Sequence, residues 1–136
     1  MNYESFSQGV RQFNQRQFYE CHDTLEAIWI EAPEIDKRFY QGILQVAVAC
    51  YHLSNKNLRG AIILLGEGIR RLSDYQPDYQ SIDVTMLLEE SIGLLQTLQQ
   101  IDPERVNDLV QQLFSDTHTV ESCKLPQLII LKSENN

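Results

Sequence analysis

Between Asp36 and Ser54 the chain is apolar on nearly every side of a helix, with Phe39, Ile43, Leu44, Val46, Ala47, Ala49, Cys50, Tyr51 and Leu53. At about 100° per residue these side chains cover most of the wheel, and such a helix is stable only when others surround it. The segment therefore predicts an all-α fold with this helix at its centre. Its strongly polar side chains beyond Phe39 are Gln41, Gln45 and His52, which fall within about 40° of one another. Two readings of that strip are open. It is a narrow exposed face, or it is a row of amides and an imidazole turned towards polar groups on a neighbouring helix, since a glutamine amide both donates and accepts.

The stretch Phe18 to Trp29 supplies such groups. On its wheel Cys21, Leu25, Ile28 and Trp29 gather on one side with Phe18, and Glu20, Thr24, Ala27 and Glu31 lie opposite. His22 falls about 40° and Glu26 about 80° from Phe18, so both are expected at least partly inside. A buried imidazole and carboxylate need hydrogen-bond or charge partners. One helical turn apart, they can partly serve each other. Gln45 and His52 are expected to meet them and complete a buried polar cluster.

The rest of the chain reads as further amphipathic helices. Phe6, Val10 and Phe13 mark a first helix over residues 3–14, and Ala32-Pro33 stops the second, because the residue before a proline leaves the α region. Asn57 is an N-cap for a helix over residues 58–74. Gly60, Gly66 and Gly68 lie inside it at about 1 kcal/mol each relative to alanine, which suggests close approach of another backbone. Phe13 to Trp29 and Leu53 to Ile69 echo each other forty residues apart, as two stacked hairpins would. Residues 75–81 read as a loop. Ser81 or Asp83 caps a helix to about Ile101, and Asp102-Pro103-Glu104 starts another that ends near Phe114 or Ser115. Leu125 to Leu131 is too apolar to dangle and is expected as an extended segment on the bundle, with Glu134 to Asn136 disordered. The expectation is a compact bundle of about six helices built on two stacked hairpins, with an extended C-terminal tail.

A length of 136 residues with 43% hydrophobic content fits one domain over 1–136 with one core. The net charge of −8, from 19 acids and 11 bases, argues against a nucleic-acid partner. No run approaches the roughly eighteen apolar residues of a membrane span, so no membrane is expected and the cytoplasm is the simplest location. Cys21, Cys50 and Cys123 are odd in number and widely spaced, which suits neither a disulfide framework nor a zinc site. Cys21 beside His22 is no nucleophilic pair, since adjacent helical residues point about 100° apart.

Three blocks together resemble a small all-helical bacterial and archaeal family, the domain of unknown function numbered three hundred and nine. They are Phe18 to Trp29, Gln41 to His52, and Asn57-Leu-Arg-Gly60-Ala61, and the resemblance runs over roughly residues 6–74, ahead of C-terminal helices and tail over 81–133. The family's Glu-x-His-acid-x-x-Glu-x-x-Trp helix falls on Glu20, His22, Asp23, Glu26 and Trp29, and its Gln-Gly-x-x-Gln helix on Gln41, Gly42 and Gln45. Cys21 stands where a small residue is usual. The resemblance implies a compact helical bundle and implies no activity.

Two functions of different class remain. In the first, His22, Glu26, Gln45 and His52 form a satisfied internal network in a non-catalytic domain without cofactor, whose surface serves a protein partner. In the second, the chain is a small hydrolase-like enzyme. His22, Glu26 and His52 would then hold a divalent metal with an open position for water, or Glu26 would be a general base activated by burial and oriented by His22, with Gln41 and Gln45 binding substrate.

Overall fold

A computed structural model of the chain describes residues 3–115 and 123–131. Among the described residues there are six α-helices: α1 (Tyr3–Asn14), α2 (Phe18–Glu31), α3 (Glu34–Ser54), α4 (Leu58–Leu72), α5 (Val84–Gln100) and α6 (Val106–Leu113). The all-α expectation holds, and α3 is the central element. Phe39, Ile43, Val46, Ala47 and Leu53 are buried on several sides of it, with α2 packed on one flank and α4 on the other. α1 covers α2, and α5 covers α4.

The forty-residue echo is visible in the backbone. At the end of α1 the Gln17 amide donates to the Gln12 carbonyl and Arg16 to Phe13; at the end of α3 Asn57 donates to His52 and Lys56 to Leu53. Arg16 and Lys56 take φ of 67° and 64°. Both helices therefore close with the same left-handed motif. The Asn57 side chain accepts from the Gly60 amide at 3.0 Å, which confirms the N-cap of α4, and Asp83 rather than Ser81 caps α5 by accepting from Met86.

Residues 75–81 are more than a loop. Strands β1 (Asp78–Tyr79) and β2 (Ile82–Asp83) pair antiparallel across Gln80 and Ser81, whose φ values are 50° and 64°. Two positive φ values in succession fit a two-residue hairpin turn. Strands of two residues are too short to show alternation in a sequence. The tail adds to their edge: the Asp83 amide donates to the Ile129 carbonyl, and Leu131 donates to Ser81.

The extended tail lies against the bundle over 123–131, as its apolar content requires, and Cys123, Leu125 and Leu128 are buried. The end expected to be disordered, residues 134–136, lies outside the described residues. Two side chains strap the tail down. Asn14 donates from Nδ2 to the Leu128 carbonyl at 2.9 Å and accepts the Leu128 amide at 2.8 Å. Glu90 accepts the Gln127 amide at 3.0 Å and pairs with Lys124 at 3.1 Å. Asn14→Ala removes both bonds to Leu128 and is expected to lower stability by about 1–3 kcal/mol in urea denaturation. Hydrogen exchange at the Leu128 amide should accelerate more than that at core amides of α3.

Candidate functional site

α2 presents its buried side through Phe18, Cys21, Leu25 and Ile28. His22, Glu26 and Trp29 sit at the rim of that side and are only partly covered. The His22 side chain is 35% exposed, Glu26 47% and Asp23 65%. The acid and the imidazole are thus drawn to the edge of the core and stop there, so the buried cluster expected from the sequence is corrected to a half-open one. Glu20 lies fully on the solvent side.

Within this turn Nδ1 of His22 is 3.3 Å from Oδ1 of Asp23, and Nε2 is 3.8 Å from Oε1 of Glu26. Ligand atoms of His22, Asp23 and Glu26 all lie within 4.8 Å of one another. Lys37, at the start of α3, closes the C-terminal end of α2. Its Nζ donates to the carbonyls of Trp29 and Ile30 at 2.9 and 3.0 Å and stands 5.7 Å from the centre of the Trp29 ring. A cation is thereby placed where the helix dipole and the ring face both favour one.

The strip on α3 meets α4 rather than α2. Gln45 donates to Glu67 at 3.1 Å and accepts from Arg71 at 3.1 Å, while His52 Nδ1 lies 3.3 Å from the side-chain Nδ2 of Asn57. Arg38 extends the same edge with an ion pair to Asp74. Among the described residues neither His22 nor Glu26 hydrogen-bonds to Gln41, Gln45 or His52, so the expected meeting of these groups does not occur. His52 is turned towards the α4 cap and is no third ligand beside His22 and Glu26.

Burial and helix geometry nevertheless place His22, Glu26, Trp29, Gln41, Gln45 and His52 along one face, and leave Glu20 outside it. Between Lys37 and His52 the partly exposed residues of α3 are Lys37, Gln41, Leu44, Gln45, Val48, Tyr51 and His52. On the wheel they span an arc of about 120°, bounded by Tyr51 on one side and Gln45 on the other. Tyr51 touches Tyr19 of α2, with ring centres 5.5 Å apart, and Gln45 touches α4. The strip is therefore the floor between α2 and α4, open to water and edged by His22, Glu26 and Trp29 on one side and by Glu67 and Arg71 on the other.

Electrostatics give the thiols no role here. Burial pushes Cys21 up to about 12 and Cys50 higher. The Cys21 Sγ points at the Gly9 carbonyl, 3.4 Å away on α1. A second cluster left no mark in the sequence patterns: Phe6, Phe39, Tyr40, Tyr75 and Tyr79 pack ring against ring beside Asp36. The Tyr79 hydroxyl donates to the Asp36 carboxylate, and that bond, with burial and the nearby charge, raises the phenol to about 12. Its contribution to stability is complete below the ordinary phenol value of 10 and is lost as pH rises through about 12.

Fold and face together define a small all-helical domain with a shallow, half-open polar face across three consecutive helices. Residues 6–64, from α1 into α4, match the model of the family described as Domain of unknown function (DUF309). Over 110 residues, 80% of this chain and 53% of the other, the chain is 33% identical to the uncharacterized protein YpuF of Bacillus subtilis strain 168. It thus spans about half the length of this curated relative. No solved structure matches the chain. No helix among the described residues is long and apolar enough to cross a membrane.

Proposed function

We propose that this chain is a non-catalytic, cytoplasmic interaction module whose working surface is the α2–α3–α4 face, and that the surface receives a positively charged segment of another protein. One observation carries the reading: His22, Glu26, Trp29, Gln41, Gln45 and His52 are partly exposed along a common face instead of being sealed in the core. Charge supports the choice of partner. On the side of α2 that borders the face stands Glu26, with Asp23 beside it, and the helix has no lysine or arginine. The nearest cations are engaged, Lys37 with the carbonyls at the end of α2 and Arg71 with Gln45 and Glu67. The internal-network reading loses its ground, because partly exposed groups have little desolvation to offset. A general base activated by burial loses its premise for the same reason, with Glu26 47% exposed.

Alanine at His22 and Glu26 together is expected to change stability by no more than about 0.5 kcal/mol in urea denaturation, the range of ordinary surface positions. A photo-crosslinker at Tyr19 should capture a partner in cells, with capture lost in Glu26→Lys and weakened by salt. The same probe at Gln112 should not capture it; that residue is on α6, and Phe114, just past the end of α6, packs against the buried Phe18 of α2. A loss of about 1–3 kcal/mol from the alanine pair would restore the internal network and end this reading.

A further inference from the structure

We propose that the channel under residues 123–131 is a peptide-binding site that reads an extended backbone, and that the same segment of a second copy of this chain takes it in exchange for the chain's own. The channel is walled by the end of α1, by α5 and by β2, and shares no residue with the α2–α3–α4 face. Its hydrogen bonds go to the main chain of the tail. Asn14 donates to the Leu128 carbonyl and accepts the Leu128 amide, and Glu90 accepts the Gln127 amide. The Asp83 amide donates to the Ile129 carbonyl and the Ser81 carbonyl accepts the Leu131 amide, with Ile130 bridged antiparallel to Ile82. Adding a strand to a sheet edge in this way is a recurring mode of peptide capture, in which main-chain bonds give affinity and pockets give specificity.

Side chains supply the preference. Leu125 and Leu128 are buried, and Lys124 meets Glu90 at 3.1 Å, where the carboxylate side chain is only 9% exposed. The fitting ligand is thus an extended segment with a cation, an apolar residue directly after it and another three further on, which is what this chain's tail carries. Past Leu128 the side chains of Ile129, Ile130 and Leu131 are 37%, 55% and 41% exposed, so the backbone alone is gripped there. Any copy of the segment makes these contacts equally well, and an unfilled β2 edge invites a strand from another chain. A tethered tail wins while its effective concentration, about millimolar for a short flexible link, exceeds that of other copies. Above that level the tails exchange, and exchange of identical elements makes a dimer.

The test uses the full chain with a protease site inserted between Ser115 and Cys123, folded and then cut. A fluorescent peptide of residues 123–131 should bind the cut protein saturably, one per chain, and displace the severed tail on gel filtration. Asn14→Ala should weaken the peptide about 5–100-fold. Alanine in place of Lys124 in the peptide should weaken it about 2–5-fold against the parent and leave it unchanged against Glu90→Gln. Uncut chains refolded together at millimolar concentration should give a dimer. In it, a spin label on Ile130→Cys of one chain should broaden the Asn14 side-chain signals of an unsubstituted, ¹⁵N-labelled partner. Failure of the peptide to bind, unfolding on cutting that the peptide does not reverse, affinity indifferent to Asn14→Ala, or a Lys124 effect that persists in Glu90→Gln overturns the site. Chains that stay monomeric after joint refolding, or a dimer without broadening at Asn14, overturn the exchange.

Discussion

Phe39→Ala is expected to lower stability by about 3–5 kcal/mol, the range for removing a fully buried aromatic ring. Phe39 is 0% exposed, and its ring centre lies 4.9 Å from that of Tyr79, 5.4 Å from Tyr40, 5.5 Å from Tyr75 and 6.1 Å from Phe6. These neighbours come from α1, α3 and the segment that follows α4. Truncation therefore opens a cavity where three parts of the chain meet, and the surrounding rings cannot all collapse into it. Urea denaturation followed by circular dichroism gives the loss. A value under about 1 kcal/mol would mean that the cluster closes around the gap, and that Phe39 is not its hub.

Two glycines of α4, two residues apart, should respond with opposite signs. A Cβ at Gly68 would stand 2.9 Å from the Gly42 carbonyl oxygen, 2.9 Å from Val46 Cγ2 and 3.2 Å from the Val46 nitrogen. Backbone atoms of α3 cannot swing aside as a side-chain tip can, so Gly68→Ala must separate α3 from α4. The expected cost of that overpacking is about 1–3 kcal/mol, against a helix-propensity gain of about 1 kcal/mol that offsets part of it. Gly66 has nothing within 4 Å of the same position. Gly66→Ala should therefore keep the propensity gain and stabilise by up to about 1 kcal/mol. Midpoints in urea decide both. Equal shifts in one direction would show that the crossing of α3 and α4 is not set by Gly68.

The three interior glycines thus stand in three different surroundings, which their shared position in a helix concealed. Gly68 marks the close approach of backbones that the sequence suggested. Gly60 sits under Asn57 and His52 at the first turn of α4, and Gly66 has open space. Asn14 is a similar case. In the sequence it is one polar residue among several at a helix end, and only the return of residues 123–131 gives its amide a backbone to pair with.

Periodicity and caps are local properties, so the helices, and the angular place of each side chain on them, were legible in the chain before any packing was known. The same pattern drew His22 and Glu26 at least partly inside on α2, deeper than the rim where they stand, and grouped Gln41, Gln45 and His52 on one strip of α3. Which neighbour that strip would touch was settled by packing. Gly42, whose carbonyl oxygen meets Gly68, lies on the α4 side of α3. From Gly42 to Gln45 is a turn of about 60° round the helix, so α4 is the helix within the glutamine's reach. α2 approaches from the far side, at Tyr51. A wheel fixes angles within one helix, whereas the partner an angle points at depends on how helices rotate and cross, and that is set by contacts between residues far apart in the chain.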